Sequence, residues 1–257
     1  MRYYAVVESD VGARKATNQD GALIKHADTS LGEVLMAIVC DGMGGLSKGE
    51  VASASVIRHF AAWFDSALPD RLRHFDPAKI RDEWVSMLRN CNRVIGEYGQ
   101  KMQLPNGLGT TFTGVLFVGD EMIAVHVGDS RLYYLDPDKT MRQLTDDQTF
   151  VQREIRAGRM TPEEAAVDTR RNMLLQCVGG SREIQPQTLL HKVMPGAYLL
   201  CSDGFRHQIT SEEIRQGLSA ETLGNRDAVG SQLRRMIETV MSRGEMDNIT
   251  ALLVNAF

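Results

Sequence analysis

An α+β fold of layered antiparallel sheets is the class this sequence predicts, on three observations. Apolar runs of strand length cluster in the middle of the chain and at both ends; long stretches of helical periodicity lie between them; and the two kinds of segment do not alternate one by one, as a doubly wound parallel sheet requires. The strand-length runs are Tyr3 to Val7, Val34 to Cys40, Thr111 to Val118, Ile123 to Val127, Leu132 to Leu135, Ala197 to Cys201 and Ile249 to Val254. From Glu50 onward, Ile57, Phe60, Ala61, Phe64 and Leu68 fall on one stripe of a helix. Asp76-Pro77 supplies an N-cap followed by a proline suited to the first helical position, and Ile80, Trp84, Leu88, Cys91, Ile95, Tyr98 and Met102 then share a face. Thr161-Pro162-Glu163-Glu164 has the form of a capping box, so a short helix starts there. Asp227 to Arg243 carries a last helix on Val229, Leu233, Met236, Ile237 and Val240. These stripes read as core packing.

Composition narrows the function classes. The 257 residues hold 29 Lys+Arg against 33 Asp+Glu, a formal charge of −4, which argues against a basic nucleic-acid binder. With 43% hydrophobic and 24% charged residues the chain is globular rather than disordered or fibrous. The longest apolar run, Val34 to Cys40, falls far short of the roughly 18 residues of a membrane span. The N-terminal stretch lacks the apolar core of a signal peptide, so a cytoplasmic location is expected. No repeat or linker divides the chain, so residues 1–257 are expected to form one domain. Cys40, Cys91, Cys177 and Cys201 form no CxxC pair and read as core thiols; the six histidines show no zinc-binding spacing. Any metal here needs carboxylates.

The aspartates carry the chemical signal. Asp41 follows the run VLMAIVC, Asp203 follows YLLCS, and Asp247 precedes ITALLV. In an antiparallel sheet the end of one strand lies beside the start of its neighbour, so these three can converge at one rim. Carboxylates gathered so closely raise one another's pKa unless a cation neutralises them, and hard divalent ions prefer oxygen ligands. Asp41-Gly42 and Asp203-Gly204 could each be a hairpin turn instead. However, Asp41-Gly42-Met43-Gly44-Gly45 has three glycines in five positions, which suits a backbone that approaches a ligand closely. Asp129, in VHVGDSRLYYL between two alternating strands, is expected at a hairpin tip.

Taken together, SDVGARKATNQDGAL (Ser9 to Leu23), VCDGMGGLSKGEVAS (Val39 to Ser53), GLGTTFTGVLF (Gly107 to Phe117), VHVGDSRLYYL (Val125 to Leu135), LLCSDGF (Leu199 to Phe205) and EMDNITALLV (Glu245 to Val254) resemble the ordered motifs of metal-dependent protein serine/threonine phosphatases of the 2C type. Bacterial stand-alone members are the nearest in character, and the resemblance runs along essentially the whole chain.

The resemblance implies a four-layer α-β-β-α sandwich, two antiparallel sheets flanked by helices, with a two-metal centre at one rim. It implies that Asp41 bridges two Mn²⁺ or Mg²⁺ ions, that the Gly42 carbonyl binds one, and that Asp203 and Asp247 hold the other. Asp20 would support their water ligands, Asp129 with Asp203 would bind a weaker third ion, and Asn248 would orient Asp247. A metal-bridged hydroxide then attacks phosphoserine or phosphothreonine on a protein, opposing a serine/threonine kinase, with no part for nucleic acid or membrane. The family places a phosphate-binding arginine where Lys15 stands here, with Arg14 just ahead. Lysine lacks the bidentate fork of arginine, so either Lys15 does a weaker job or Arg14 swings in, the latter being preferred. Gln19 stands where many members have glutamate, removing a charge near the second metal. Met43 stands where some have a histidine acid. A flap of about residues 145–182, with Arg153, Arg156, Arg159, Arg170 and Arg171, is either a solvated basic helix pair or a guide for acidic substrate segments. Two other functions fit less of the pattern, a phosphatase-like module that binds a phosphorylated partner without turnover and a hydrolase of small phosphate esters.

Overall fold

Every strand of the computed structural model, which describes residues 1–43, 48–104, 107–136 and 140–257, belongs to one of two five-stranded antiparallel sheets. The first contains β1 (Tyr3–Asp10), β10 (Ile249–Ala256), β9 (Gly196–Cys201), β6 (Arg131–Leu135) and β7 (Met141–Gln143), in that order. The second runs β2 (Gly21–Thr29), β3 (Gly32–Cys40), β4 (Phe112–Val118), β5 (Glu121–Val127) and β8 (Gln187–Lys192). Strand alternation builds the layers. In β3, Leu35, Ala37 and Val39 face the other sheet, while Val34, Met36, Ile38 and Cys40 face helices. In β10, Leu252 and Val254 meet that same inner layer, and Ala251 and Leu253 pack outward. Both faces of the central strands are therefore buried, which is why they read as continuous apolar runs rather than alternating ones.

The outer layers are helical. On the second sheet lie α1 (Gly49–Ser66), α2 (Leu68–Arg73) and α3 (Pro77–Lys101), joined through an aromatic cluster in which Phe60 stands 5.1 Å from Trp84 and 4.6 Å from Phe112. On the first sheet lie α9 (Arg226–Ser242), which buries all five apolar residues read from its sequence, and the shorter α6 (Asp203–Arg206) and α7 (Ser211–Gly217). Asp76 caps α3 as expected, accepting from the backbone N–H groups of Ala78 and Lys79. The Thr161 capping box of α5 (Pro162–Val167) is also formed.

Some expectations differ from the structure. The buried face of α1 centres on Ala52, Val56, Phe60 and Trp63, and the helix ends before Leu68, which opens α2. Tyr98 is exposed, and so is Met102, which lies just past the end of α3. The three strands without an apolar signal, β2, β7 and β8, are all edge strands, where one side faces solvent and polar residues interrupt the pattern. Asp129 is not at a hairpin tip: β5 and β6 belong to different sheets, and Gly128-Asp129-Ser130 is where the chain crosses between them. Asp203 opens helix α6 and Gly42 forms a bridge to Thr110, so neither Asp-Gly pair is a hairpin turn. Gly44 and Gly45 lie outside the described residues. No described helix is long and apolar enough to cross a membrane.

Replacing Phe60 with alanine is expected to lower the unfolding free energy by about 3–5 kcal/mol, read from the urea midpoint at constant slope, because a fully buried ring shared by three aromatic neighbours leaves a cavity.

Candidate functional site

Antiparallel register brings the acidic residues together. Ala251 pairs with Cys201, so the start of β10 lies beside the end of β9, and Asp247 beside Asp203. Gly21 pairs with Cys40, which sets Asp20 against Asp41 at the same end of the second sheet. Ser202 Oγ donates to Asp20 Oδ2 at 2.8 Å and accepts from the Thr250 N–H at 3.0 Å, fastening the two sheets across the rim.

Backbone contacts fix each carboxylate's origin. The Asp41 N–H donates to Thr111 Oγ1 at 2.9 Å, and its carbonyl accepts from Thr110 Oγ1 at 2.9 Å and the Thr111 N–H at 2.8 Å. Gly42 is wedged between Gln19 and the start of α1; a Cβ there would lie 2.4 Å from the Gln19 carbonyl oxygen and 2.7 Å from Gly49, so no other residue fits. Asn248 does more than orient Asp247, whose Oδ1 its N–H meets at 2.8 Å. Its side chain accepts from the Gln19 N–H and donates to the Val11 and Thr17 carbonyls, clamping the whole β1–β2 loop onto the rim.

That loop decides what faces the acids. Lys15 Nζ stands 2.7 Å from Asp247 Oδ1, whereas Arg14 is exposed and, among the described residues, makes no contact with the rim. Gln19 Nε2 donates to Glu50 Oε2 at 3.1 Å, so a carboxylate from the first turn of α1 stands beside the position where glutamate is absent.

The electrostatics are those of crowded, desolvated acids. Burial pushes the Asp20 carboxyl up to about 7, against the hydrogen bonds of Thr250 and Ser202, with Asp203 and Asp247 adding repulsion. Asp41 is raised well above the usual carboxylate range by burial and by Asp20, Asp203, Asp129 and Asp247. Asp129 is pushed to about 7 by burial and Asp203, although Arg206 pulls it down from 3.4 Å. Arg206 also faces Asp147, which Arg131 grips with two hydrogen bonds of 2.7 and 2.6 Å. His207 lies between Asp203 Oδ2 at 3.7 Å and Glu245 Oε2 at 3.3 Å, and Glu245 Oε1 accepts from the Met246 and Asp247 N–H groups. Sequence reasoning missed Arg206, His207 and Glu245 as neighbours of the site, although His207 follows Asp203 by one helical turn and Glu245 opens the motif that carries Asp247.

The donor set fits a hard divalent cation. It is all oxygen, and Asp20 Oδ1 is buried with no hydrogen-bond partner. Among the described residues, the His/Asp/Glu group whose ligand atoms all lie within 4.8 Å is His26, Asp28 and Glu33 at the far end of the β2–β3 hairpin, so the rim carboxylates are not drawn that closely together.

On the flap, Arg153 and Arg159 share Glu154, Arg170 pairs with Asp168, and Arg156 with Asp146, so four of the five arginines singled out in the sequence make ion pairs within the chain. His126 is buried and depressed to about 4 by desolvation; hydrogen bonds hold it to Thr113, Gly128 and Asp146, a structural post rather than a proton donor.

A two-sheet sandwich with acids gathered from strand ends at one rim defines a class of protein, and comparison gives the family. The model described as Protein phosphatase 2C matches residues 12–254, and the chain belongs to that family. It is 34% identical over 257 residues to the serine/threonine protein phosphatase PstP of Mycobacterium tuberculosis, covering 99% of this chain but 45% of PstP, so it spans about half the length of that relative. It is 30% identical to the protein phosphatase PhpP of Streptococcus pneumoniae, covering 96% of this chain and 95% of PhpP. The crystal structure of the PstP catalytic domain in complex with two manganese ions superimposes with a TM-score of 0.76 at 31% identity, covering 98% of this chain and 97% of that one.

In chelator-treated protein, stability is expected to fall as pH rises from about 4 to about 7, because folded Asp20 retains a proton that the unfolded chain has released. Thermal unfolding across that range checks this, and Asp20→Asn is expected to flatten the slope.

Proposed function

We propose that the chain hydrolyses phosphoserine and phosphothreonine esters on proteins, opposing a serine/threonine kinase in the cytoplasm of a bacterial cell. The observation that carries this reading is the desolvated all-oxygen rim, with its unpartnered Asp20 oxygen, in a chain of this family. Asp20, Asp41, the Gly42 carbonyl, Asp203 and Asp247 would hold two Mn²⁺ or Mg²⁺ ions, with Asp129 and Asp203 taking a weaker third. Bound there, such ions act as Lewis acids and lower the pKa of water enough to make it a nucleophile at neutral pH.

The chain's own residues do the rest. Like charges clustered at the rim repel an anionic phosphate, so a protein cation has to meet its oxygens, and Lys15 stands at the rim to do so. A lysine offers a point charge rather than a fork, so it attracts the phosphate without fixing its rotation. Orientation then falls to the residues that anchor the rim: Thr110 and Thr111 hold Asp41, and Asn248 holds the loop that carries Lys15. His126 is buried in the core and Met43 has no proton to give, so among the described residues His207, held between Asp203 and Glu245, is the histidine that stands at the rim. The intact set of aspartates argues against a module that binds phosphoprotein without turnover.

With Mn²⁺ present, purified protein is expected to hydrolyse p-nitrophenyl phosphate and a phosphothreonine peptide, and Asp41→Asn or Asp203→Asn to lower both rates by about a hundredfold or more with unchanged circular dichroism. Absence of turnover in the parent protein would overturn the reading. Steady-state kinetics on the peptide are also expected to separate the two basic residues: Lys15→Ala lowers kcat/KM by about tenfold, while Arg14→Ala stays within about twofold.

A further inference from the structure

A groove of about 1080 Å³ runs between α3 and the segment Leu174 to Gln185 and opens at Met43, one residue from Gly42. We propose that this groove docks an acidic segment of the phosphoprotein substrate adjacent to its phosphorylated residue. The inference rests on the phosphatase reading above and adds a preference for substrate sequence.

Continuity with the rim is the first argument. Behind the groove Gly42 bridges Thr110 and Thr110 bridges Val178, whose chain neighbours Cys177 and Gly179 line it. Met43 donates its N–H to the Gly109 carbonyl at 3.1 Å. Met43, next to the rim residue Gly42, lines the groove, so a peptide whose phosphate sits at the aspartates can continue into it.

The groove is also preformed. Asn92 of α3 is buried beneath it, donating to the Ser181 carbonyl at 2.9 Å and accepting from the Gly179 N–H at 2.7 Å, which ties its two sides together. A site that exists before the ligand arrives loses less conformational freedom on binding. Leu104, Leu174 and Leu175 line it with apolar surface suited to a peptide's aliphatic carbons.

Charge selects the occupant. Arg89 and Arg182 line the groove from opposite sides, are exposed, and, among the described residues, have no ion-pair partner. Arg93, beside them, is held by Glu97. Glu183 is the acid that offsets them in part, leaving a local excess of positive charge in a chain whose formal charge is −4. The overall field repels acidic peptides, so an acidic segment gains its attraction locally. Arg153, Arg156, Arg159 and Arg170 of the flap offer less of it, because they are paired within the chain, whereas Arg182 at the end of the flap faces the groove.

The test uses the Mn²⁺-loaded full chain and the double variant Arg89→Glu/Arg182→Glu, with p-nitrophenyl phosphate and three phosphothreonine peptides of equal length. One peptide has acidic residues on the N-terminal side, one on the C-terminal side, and one is neutral. In the parent protein one acidic peptide is expected to exceed the neutral one in kcat/KM by about fivefold, an advantage that shrinks with added salt. The double variant is expected to lose that advantage while its rate on p-nitrophenyl phosphate stays within about twofold of the parent. Equal rates on all three peptides, or a preference that survives in the double variant, would overturn the proposal while leaving the phosphatase reading intact. A dimer in sedimentation that the double variant dissolves, with peptide rates unchanged, would assign the groove to a second copy of the chain and also overturn it. Loss of p-nitrophenyl phosphate hydrolysis in the parent itself would instead remove the phosphatase reading.

Discussion

Crowded negative charge at one rim of the sandwich is the constraint on which the rest depends. Four carboxylates, on Asp20, Asp41, Asp129 and Asp203, repel one another through low-dielectric surroundings, and Asp247 adds to the field. Burial raises the pKa of several of them, so without a counter-charge the folded chain has to keep protons it would otherwise release. Lys15 and Arg206 answer part of that charge from opposite sides of the cluster. A site that holds acids in such an arrangement is held there by the remainder of the fold, not by its own interactions.

That holding comes from backbone geometry. Asp41, Asp203 and Asp247 each follow or precede a strand buried on both faces, and Asp20 precedes the edge strand paired to one of these, so their positions are set by ladders that cannot shift without exposing core. Thr110, Thr111, Ser202 and Asn248 then convert strand ends into fixed points by bonding main-chain groups across the rim. The division of labour is physical: the carboxylates supply charge, and neutral hydroxyl and amide groups, which cost little to desolvate once paired, supply position.

Charge elsewhere follows a complementary logic. The flap is rich in arginine, but Arg153, Arg156, Arg159 and Arg170 are paired with acids on the same surface, with Arg153 and Arg170 also lying over the Phe150 ring. Across the site, the groove beside α3 has an excess of guanidinium groups without such matches. Counting arginines along the chain points to the flap; only their pairing shows where positive charge remains available.

The amino-acid order alone determined the layered α+β class, the doubly buried strands, the capped helices and which aspartates stand at strand ends, because burial and periodicity leave a direct mark on residue type. Edge strands β2, β7 and β8 left no such mark, since half of each faces water. Tertiary structure decided what depends on partners far apart in the chain: that Asp129 sits at a crossing between sheets rather than in a hairpin, that Lys15 rather than Arg14 reaches the rim, and that Asn248 clamps a loop some 230 residues away. Contacts of that kind are set by which sheet a strand joins and in what register, and no local pattern of residues encodes them.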